Sequence, residues 1–357
     1  MKKHLLNLQR IRAGTYRDIS KGLFLDRNER VTPFDKKTIY SLSQRISKIP
    51  LNLYPELVPF YNKLSNWLNF PSECIYVTEG VSGAIKSLLE TNTNPGENII
   101  SPTPTFALYP VYAKMFQLEY RTVGYTDEYN LNLKHLIQLI DDQTSIVFLP
   151  NPNMPISGTL NLEKIILLAE HCKKHGAFLA IDEVYYPFGG PTAIDLIMEH
   201  KNLFVMRSFS KAFGLAGIRV GYLLGNKEQI NYVSKTRTGY ETNSVSIEIA
   251  SFFIDNFHLI EEYILQIKDG LNYLKNRLNK LELEYNGGNE GNFLYVNLRN
   301  ERLTHDLINR LKERKIYVRG GWPKPYKTGI TVSAAPKGIV KIFMKEFSDV
   351  YLNLLKK

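Results

Sequence analysis

Short apolar runs alternate with longer amphipathic stretches through the middle of the chain. The short runs predict seven strands, at Ile75–Val77, Asn98–Ile100, Glu119–Val123, Ile146–Leu149, Phe178–Ile181, Leu203–Met206 and Arg219–Leu224. Between them lie helical patterns such as Val81–Glu90 and Leu162–His175. Strands separated by helices favour a largely parallel sheet with helices on both faces.

Polar clusters follow four of these predicted strands. Because ligands of such sheets bind beyond the carboxyl ends of the strands, these clusters are the first candidates for a functional site. They read SPTPTF from residue 101, PNPNMPISG from residue 150, DEVYYP from residue 182 and RSFSKAFG from residue 207.

The pattern changes near Val245. A long amphipathic stretch runs from there to about Tyr285 and is followed by a turn signal at residues 286–289. Further elements follow it: strand-like runs at Phe293–Leu298, Ile316–Arg319 and Ile330–Ser333, a helical run at Leu303–Lys312 and a terminal amphipathic helix. We therefore expect an N-terminal arm (1–30), a large domain (31–244) and a smaller α+β C-terminal domain (245–357).

The composition is that of a globular protein. The chain has 357 residues, of which 44% are hydrophobic and 22% charged, which suggests about two domains and excludes a disordered or fibrous protein. Two cysteines, Cys74 and Cys172, are too few for a cysteine-rich metal site and favour a reducing compartment. No run approaches ~18 apolar residues, and the first apolar stretch is too short for a signal peptide. We expect a cytoplasmic protein without membrane contact.

The chain is basic, with 45 Lys and Arg against 35 Asp and Glu, a net charge of +10. Such an excess raises the question of a nucleic-acid partner. The basic residues are scattered among acidic ones and form no recognisable nucleic-acid module. The charge therefore favours anionic small molecules over nucleic acid.

Lys211 and Asp182 carry the most specific chemistry. Lys211 follows a predicted strand, so its amine should lie at the ligand edge of the sheet, where it could form a Schiff base with a carbonyl cofactor. Asp182 ends a strand about one strand–helix–strand unit earlier, so both groups could reach one pocket. Pyridoxal phosphate needs this pair, an amine for its aldehyde and a carboxylate for its ring nitrogen. The alternatives are an exposed loop lysine and a helix cap at Asp182.

A phosphate site is indicated beside this pair. Arg219, Ser208 and Ser210 could bind a phosphate through charge-assisted hydrogen bonds. The segment Gly80–Gly83 precedes a helical pattern, as a phosphate at a helix N-terminus requires.

The segment Ser208–Tyr222, SFSKAFGLAGIRVGY, resembles the lysine segment of fold-type-I pyridoxal-phosphate aminotransferases, particularly the histidinol-phosphate aminotransferase family. Other motifs follow in family order: LDRNE from residue 25, LYPE from 53, TEGVSGAI from 78, PTPTFALY from 102, DEVYYPF from 182 and EGNF from 290. The resemblance implies an α/β fold with a mostly parallel seven-stranded sheet in the large domain. It also implies pyridoxal 5′-phosphate as cofactor and a homodimer with shared active sites.

The resemblance also implies roles for individual residues. Lys211 is the Schiff-base lysine and moves protons, Asp182 pairs with the pyridine nitrogen, and Tyr185 bonds the phenolic oxygen of the cofactor. Phe106 stacks on the ring, where the family usually has Tyr. The cofactor phosphate is held by Val81, Ser82, Ser208, Ser210 and Arg219, with Tyr54 reaching it from the neighbouring subunit.

Two departures concern contacts to the cofactor and the substrate. The family's NPNNPTG loop is one residue longer at Asn151–Gly158, and its cofactor-binding asparagine aligns with Met154, so either Asn153 substitutes for it or the contact is lost. The family's NENPYG reads Asn28–Pro33 and lacks a tyrosine associated with the substrate phosphate.

A third departure removes a cation. The family's LRIT strand is Thr328–Thr331, so its substrate-binding arginine falls on Gly329. Arg319 matches the family's other late arginine and is the expected substrate contact. Arg30 or Arg27 could supply replacement charge, the alternative being a surface ion pair with an adjacent carboxylate.

The predicted activity is a pyridoxal-phosphate-dependent aminotransferase of the EC 2.6.1 type. Its substrate is a small, phosphorylated or otherwise anionic amine or amino acid other than histidinol phosphate. The alternative is a decarboxylase of a phosphorylated amino acid, which uses the same lysine and electron sink. A pyridoxal-phosphate-binding regulator would need a DNA-binding domain, and only about 30 residues precede the catalytic pattern.

Overall fold

The computed structural model describes residues 3–6, 8, 18 and 21–356. Its helices and strands, in chain order, are α1 (Lys3–Leu6), β1 (Leu23–Leu25), α2 (Lys36–Ile46), α3 (Val58–Leu68), β2 (Ile75–Thr78), α4 (Gly80–Asn92), β3 (Asn98–Pro102), α5 (Leu108–Met115), β4 (Glu119–Val123), α6 (Leu133–Leu139), β5 (Thr144–Pro150), α7 (Leu162–Lys174), β6 (Phe178–Asp182), β7 (Leu203–Ser208), β8 (Gly221–Leu224), α8 (Lys227–Val233), α9 (Ser244–Asp255), α10 (His258–Asn279), β9 (Glu284–Gly287), β10 (Phe293–Asn297), α11 (Glu301–Glu313), β11 (Ile316–Val318), β12 (Gly329–Ser333) and α12 (Lys337–Leu355).

The seven predicted strands form one sheet in the order β2-β8-β7-β6-β5-β3-β4. Strand β8 runs antiparallel to both neighbours, and the other pairings are parallel. The predicted fold class, α/β with a mostly parallel seven-stranded sheet, is confirmed. Strand β8 begins at Gly221 rather than at the predicted Arg219, because Arg219 has a left-handed φ of 57° after a short 3₁₀ turn.

The sheet is covered on both faces. In β5, Ile146 and Phe148 pack into one apolar cluster with α4 and α5, while Val147 and Leu149 pack into the other with α7. Alternate residues of a strand point to opposite faces, so a strand buried on both sides reads as a continuous apolar run. This explains why the pattern predicted the central strands well.

The C-terminal part contains a three-stranded antiparallel sheet in the order β12-β10-β9 with helices α10, α11 and α12. The predicted strand-like runs form β10, β11 and β12. The long amphipathic stretch is divided: α9 ends at Asp255, α10 begins at His258, and β9 follows. At the end of α9 the side-chain Nδ2 of Asn256 donates to the carbonyl oxygen of Phe252 at 2.8 Å and caps the helix.

Strand β1 connects the N-terminal part of the chain with the C-terminal part. It pairs in parallel with β11, with Leu23 opposite Ile316 and Leu25 opposite Val318. Residues 23–25 of the predicted arm therefore pair with the C-terminal part. The division into domains itself stays a prediction.

Within the described ranges, no helix combines the length and apolar character needed to span a bilayer. Cys74 and Cys172 are both buried and unpaired with each other.

Candidate active site

Three neighbouring strands of the sheet end together. In the register of the sheet Pro150, the last residue of β5, lies opposite Asp182, the last of β6, and β7 ends beside them at Ser208. Together with the start of α4 these ends border a cavity of about 440 Å³. The cavity brings together eleven of the sequence-predicted site residues: Val81, Ser82, Phe106, Asn153, Asp182, Tyr185, Ser208, Ser210, Lys211, Arg219 and Arg319.

The amine of Lys211 lies inside this cavity. Its Nζ donates a hydrogen bond of 2.8 Å to the carbonyl oxygen of Arg27. Burial lowers the pKa of Lys211 to about 8, against the opposing effect of the Glu29 carboxylate. A lysine with such a pKa is partly neutral near physiological pH and can act as a nucleophile or base.

Asp182 lies on the sheet side of the cavity and is 3% exposed. Its Oδ2 accepts a hydrogen bond of 3.0 Å from the hydroxyl of Tyr109, and its Oδ1 accepts one of 3.1 Å from the amide of Val184. Burial raises the pKa of Asp182 to about 7. A carboxyl group held in this way is suited to bind a protonated ring nitrogen, whose positive charge favours its ionised form.

Tyr185 is held by a residue to which the sequence analysis gave no role. Nδ2 of Asn28 donates to the Tyr185 hydroxyl at 2.9 Å and to the sulfur of Met154 at 3.0 Å. The backbone amide of Asn28 donates to Ser333 Oγ at 2.8 Å, and its carbonyl accepts from Asn292 Nδ2 at 3.1 Å. Asn28 is buried, with a left-handed φ of 55°. It ties the segment after β1 to the C-terminal part and to the site.

The side-chain amide of Asn153 bonds the loop after β3 through both its nitrogen and its oxygen. Its Nδ2 donates to the carbonyl of Pro104 at 2.8 Å, and its Oδ1 accepts from Thr105 at 2.6 Å. Both Asn153 and Met154 line the cavity. Met154 stands at the position of the family asparagine, and Asn153 is the residue predicted to take over its contact. The two residues lie at the same wall of the cavity.

Donors for an anion gather at the other end. The hydroxyl of Ser208 bonds that of Ser210 at 2.9 Å, and Nη2 of Arg219 reaches Ser82 Oγ at 3.4 Å. Helix α4 starts at Gly80, which has φ of 67° and where a Cβ would lie 2.8 Å from Arg219 Nη2. A helix N-terminus beside a guanidinium and two hydroxyls fits a phosphate group.

Phe106 contributes an aromatic wall. Its side chain is 40% exposed and meets Tyr109 edge to face, with ring centroids 6.0 Å apart. The exposed part of the ring lines the cavity, as stacking on a cofactor ring requires.

Two sequence-predicted residues lie outside the cavity lining. Tyr54 is 74% exposed and stacks on Tyr240 with centroids 4.4 Å apart. Arg30 packs its guanidinium over Phe34 at 4.2 Å and over Tyr263 at 3.6 Å, and Nε donates to a nearby backbone carbonyl. These aromatic contacts hold Arg30 away from the cavity.

Arg30 thus lies outside the cavity lining, and a substrate contact from it stays a prediction. Arg27 and Glu29 line the cavity instead. Because Asn28 between them adopts the left-handed conformation, the chain turns there, and neighbouring side chains leave in directions that an extended segment would not give them.

Comparison with known proteins agrees with this geometry. Residues 47–336 match the family model for aminotransferases of class I and II. A histidinol-phosphate aminotransferase from Thermoanaerobacter sp. is 30% identical over 300 residues, 83% of each chain. Another, from Caldanaerobacter subterraneus subsp. tengcongensis, is 29% identical over 307 residues, again 83% of each chain.

Solved structures share the fold. The histidinol-phosphate aminotransferase from Sinorhizobium meliloti, in complex with pyridoxal-5′-phosphate, superposes with a TM-score of 0.85 at 19% identity, covering 92% of this chain and 91% of that chain. A histidinol-phosphate aminotransferase from Clostridium acetobutylicum gives a TM-score of 0.82 at 22% identity, covering 92% and 99%.

The chain belongs to the class I and II aminotransferases, in the histidinol-phosphate aminotransferase family. It is a pyridoxal-phosphate-dependent aminotransferase, so the predicted enzyme class and cofactor are confirmed. The residues of the cavity fit this cofactor, because a buried amine, a buried carboxyl group, an aromatic wall and an anion cradle line one space.

Proposed function

We propose that this aminotransferase acts on a small anionic amine or amino acid, phosphorylated or otherwise charged, and that histidinol phosphate is a poor substrate for it. The observation that carries the proposal concerns two positions of the C-terminal part. Arg319 lines the cavity, while the position of the family's other late arginine is Gly329.

The space beside Gly329 is filled. A Cβ at this position would collide with the ring of Tyr295, which is 1% exposed and whose hydroxyl donates to the carbonyl of Tyr326 at 3.1 Å. No side chain therefore fits at residue 329 unless Tyr295 moves. A substrate that depends on two arginines at these positions loses one charge-assisted contact, about 1.5–3 kcal/mol.

We propose the following roles for the residues of this chain, according to their positions in the cavity lining. Pyridoxal 5′-phosphate, when bound, supplies an aldehyde for the amine and a ring that withdraws electrons from the adjacent carbon. Lys211, with its pKa near 8, takes the proton from the substrate carbon that bears the amine. Asp182 keeps the ring nitrogen protonated, and the hydroxyl of Tyr185, which already accepts from Asn28, donates to the phenolic oxygen. The hydroxyls of Ser208 and Ser210 orient the phosphate.

We also propose a homodimer, in which Tyr54 completes the site of the neighbouring subunit. Its segment exposes four apolar side chains in eight residues, with exposed fractions of 77% at Leu51, 61% at Leu53, 74% at Tyr54 and 66% at Val58. An exposed apolar patch of this kind is typical of a protein interface. We propose, separately, that the enzyme is cytoplasmic. Both cysteines are free thiols in the described structure, as is usual in a reducing compartment.

The test is a panel of amines. The purified holoenzyme is incubated with amino acids, amine phosphates and histidinol phosphate, and the cofactor absorbance and product masses are followed. We expect conversion of the cofactor to its amine form by an anionic amine, and slow conversion by histidinol phosphate. Equal efficiency with histidinol phosphate would refute the substrate proposal. Release of carbon dioxide would revive the decarboxylase alternative, which neither the family match nor the relatives support.

A further inference from the structure

Two hydrogen bonds with Ser333 fix the side chain of Asn28. The backbone amide of Asn28 donates to Ser333 Oγ at 2.8 Å, and the Ser333 hydroxyl donates back to Asn28 Oδ1 at 2.9 Å. Both residues are buried, so these bonds form away from solvent. Because Ser333 already accepts from the backbone, its own proton is free for Oδ1. The oxygen of the Asn28 amide therefore faces β12, and its nitrogen faces Tyr185.

This orientation determines the direction of the next hydrogen bond. Nδ2 of Asn28 donates to the Tyr185 hydroxyl at 2.9 Å and to the sulfur of Met154 at 3.0 Å, and an amide nitrogen can only donate. The oxygen of Tyr185 is thus an acceptor toward Asn28. Its ring packs on Phe293 with centroids 5.0 Å apart, and Tyr185 lines the cavity. The proton of this hydroxyl is therefore left for an acceptor in the cavity.

Met154 changes the donors at the wall beside Tyr185. It stands where the family has an asparagine, and a thioether has no proton to donate. The amide of Asn153 at the same wall is bonded to Pro104 and Thr105. Burial raises the pKa of the Tyr185 hydroxyl, so this group keeps its proton near neutral pH. The orientation of the Tyr185 proton therefore matters more here than beside an asparagine.

We propose that Asn28 is a positioning residue, which holds the Tyr185 hydroxyl as a hydrogen-bond donor toward the phenolic oxygen of the cofactor, in a site where residue 154 supplies no donor. The inference rests on the role proposed above for Tyr185. A donor to the phenolic oxygen withdraws negative charge from it, which lowers the pKa of the neighbouring nitrogen that Lys211 contributes. Asn28 acts on this nitrogen only through Tyr185.

The absorbance of the bound cofactor measures this effect in the absence of substrate. In the holoenzyme it changes with pH as the nitrogen of Lys211 gains or loses its proton, so a pH titration gives a midpoint. Tyr185→Phe, which removes the donor, should move the midpoint to higher pH by about one to two pH units. Asn28→Gly keeps the left-handed backbone, with φ of 55°, and removes the amide. It should move the midpoint in the same direction by about 0.5–1 pH unit.

The control is a second asparagine with the same backbone conformation. Asn69 has a left-handed φ of 50°, is exposed at the end of α3 and lies outside the cavity lining. Asn69→Gly should leave the midpoint unchanged, and melting curves check that each variant is folded. All of these variants are neutral and leave in place the charged side chains that act on Tyr185 and Lys211, which are Glu29, Asp182, Arg219 and Arg319.

Asn28→Asp tests the direction of the hydrogen bond. Aspartate has the shape of asparagine, but it offers an accepting oxygen where Nδ2 donates, so the Tyr185 proton turns toward residue 28. The midpoint should then rise at least as far as in Tyr185→Phe. The same substitution in the Tyr185→Phe background measures the effect of the added charge alone, and a double-mutant cycle subtracts it.

Two results would overturn the inference: an unchanged midpoint in Asn28→Gly, or an effect of Asn28→Asp that is equal with and without the Tyr185 hydroxyl. Either result is compatible with a shifted midpoint in Tyr185→Phe, in which case the role of Tyr185 stands and the inference fails alone. If Tyr185→Phe itself has no effect, the proposed role of Tyr185 fails and the inference fails with it. The panel of amines tests the substrate proposal independently of all three outcomes.

Discussion

The hydroxyl of Tyr109 donates a 3.0 Å hydrogen bond to Oδ2 of Asp182, and both side chains are buried. Tyr109 lies on α5 and Asp182 ends β6, so a helix that covers the sheet also positions the carboxyl group of the site. The hydrogen bond favours the ionised carboxylate and counteracts burial, which raises its pKa.

Replacing Tyr109 by Phe should therefore raise the pKa of Asp182 further. We expect kcat to fall by about tenfold and the acid limb of the pH–rate profile to move to higher pH, since one lost hydrogen bond to a charged group is worth about 1.5–3 kcal/mol. Tyr120→Phe, which removes a hydroxyl bonded to Ser101 away from the cavity, is the control. An unshifted acid limb in the Tyr109 variant would mean that the bond only supports packing.

Replacing Lys211 by Ala should abolish turnover and leave the protein folded. The variant loses both the amine that binds the cofactor and the base that moves the proton. Initial rates with the best amine of the panel and a thermal unfolding curve check the two parts. More than a trace of transamination by the purified variant would refute the assigned role.

Replacing Asp182 by Asn should slow proton abstraction by several orders of magnitude. A neutral amide cannot hold the proton on the ring nitrogen, so the ring withdraws electrons poorly. Single-turnover absorbance changes with saturating amine measure this step directly. A rate equal to that of the parent would leave Asp182 with a capping role only.

Asp182 should also impose a pH dependence on the stability of the apoprotein. Its pKa is about 7 in the folded chain against an ordinary 3.8. Between these values the folded state keeps a proton that the unfolded state releases, so the folded state binds more protons and stability falls as pH rises from about 4 to 7. Denaturant unfolding of the apoprotein and of its Asp182→Asn variant over this range checks the sign. The difference between the two should decline across the window and level off above it.

Replacing Gly329 by Ala should destabilise the fold. The new Cβ would collide with the Tyr295 ring, and overpacking of this kind costs about 1–3 kcal/mol in the free energy of unfolding. Gly338→Ala is the matched control, because no atom lies within 4 Å of its Cβ position in α12. We expect that variant to be neutral or slightly stabilised. Equal effects of the two substitutions would show that Tyr295 moves without cost.

The sequence predicted the sheet because its central strands are buried on both faces and read as uninterrupted apolar runs. It predicted most of the cavity lining for a related reason: the polar residues after those strands, such as Asp182 and Ser208, meet wherever parallel strands end together. The hydrophobic pattern did not predict the break at Asn256 between α9 and α10, because the apolar spacing continues across it.

Residues whose roles depend on long-range contacts could not be found in this way. Tyr109 sits on the buried face of a helix, where a tyrosine that bonds Asp182 has the same pattern as one that only packs. Asn28 acts through Ser333, 305 positions away in the chain. Arg27 lines the cavity and Arg30 does not. The direction of these side chains depends on the left-handed backbone of Asn28, which the sequence pattern does not predict.

The pairing of β1 with β11 has a consequence for biosynthesis. The two strands are separated by most of the chain, so a nascent polypeptide cannot form this pair until residues 316–318 have left the ribosome. The large sheet, complete in sequence by residue 224, can assemble much earlier. The contact between β1 and β11 therefore forms only after the strands of the large sheet have been synthesised, and a chain that ends before residue 316 would lack both β11 and Arg319.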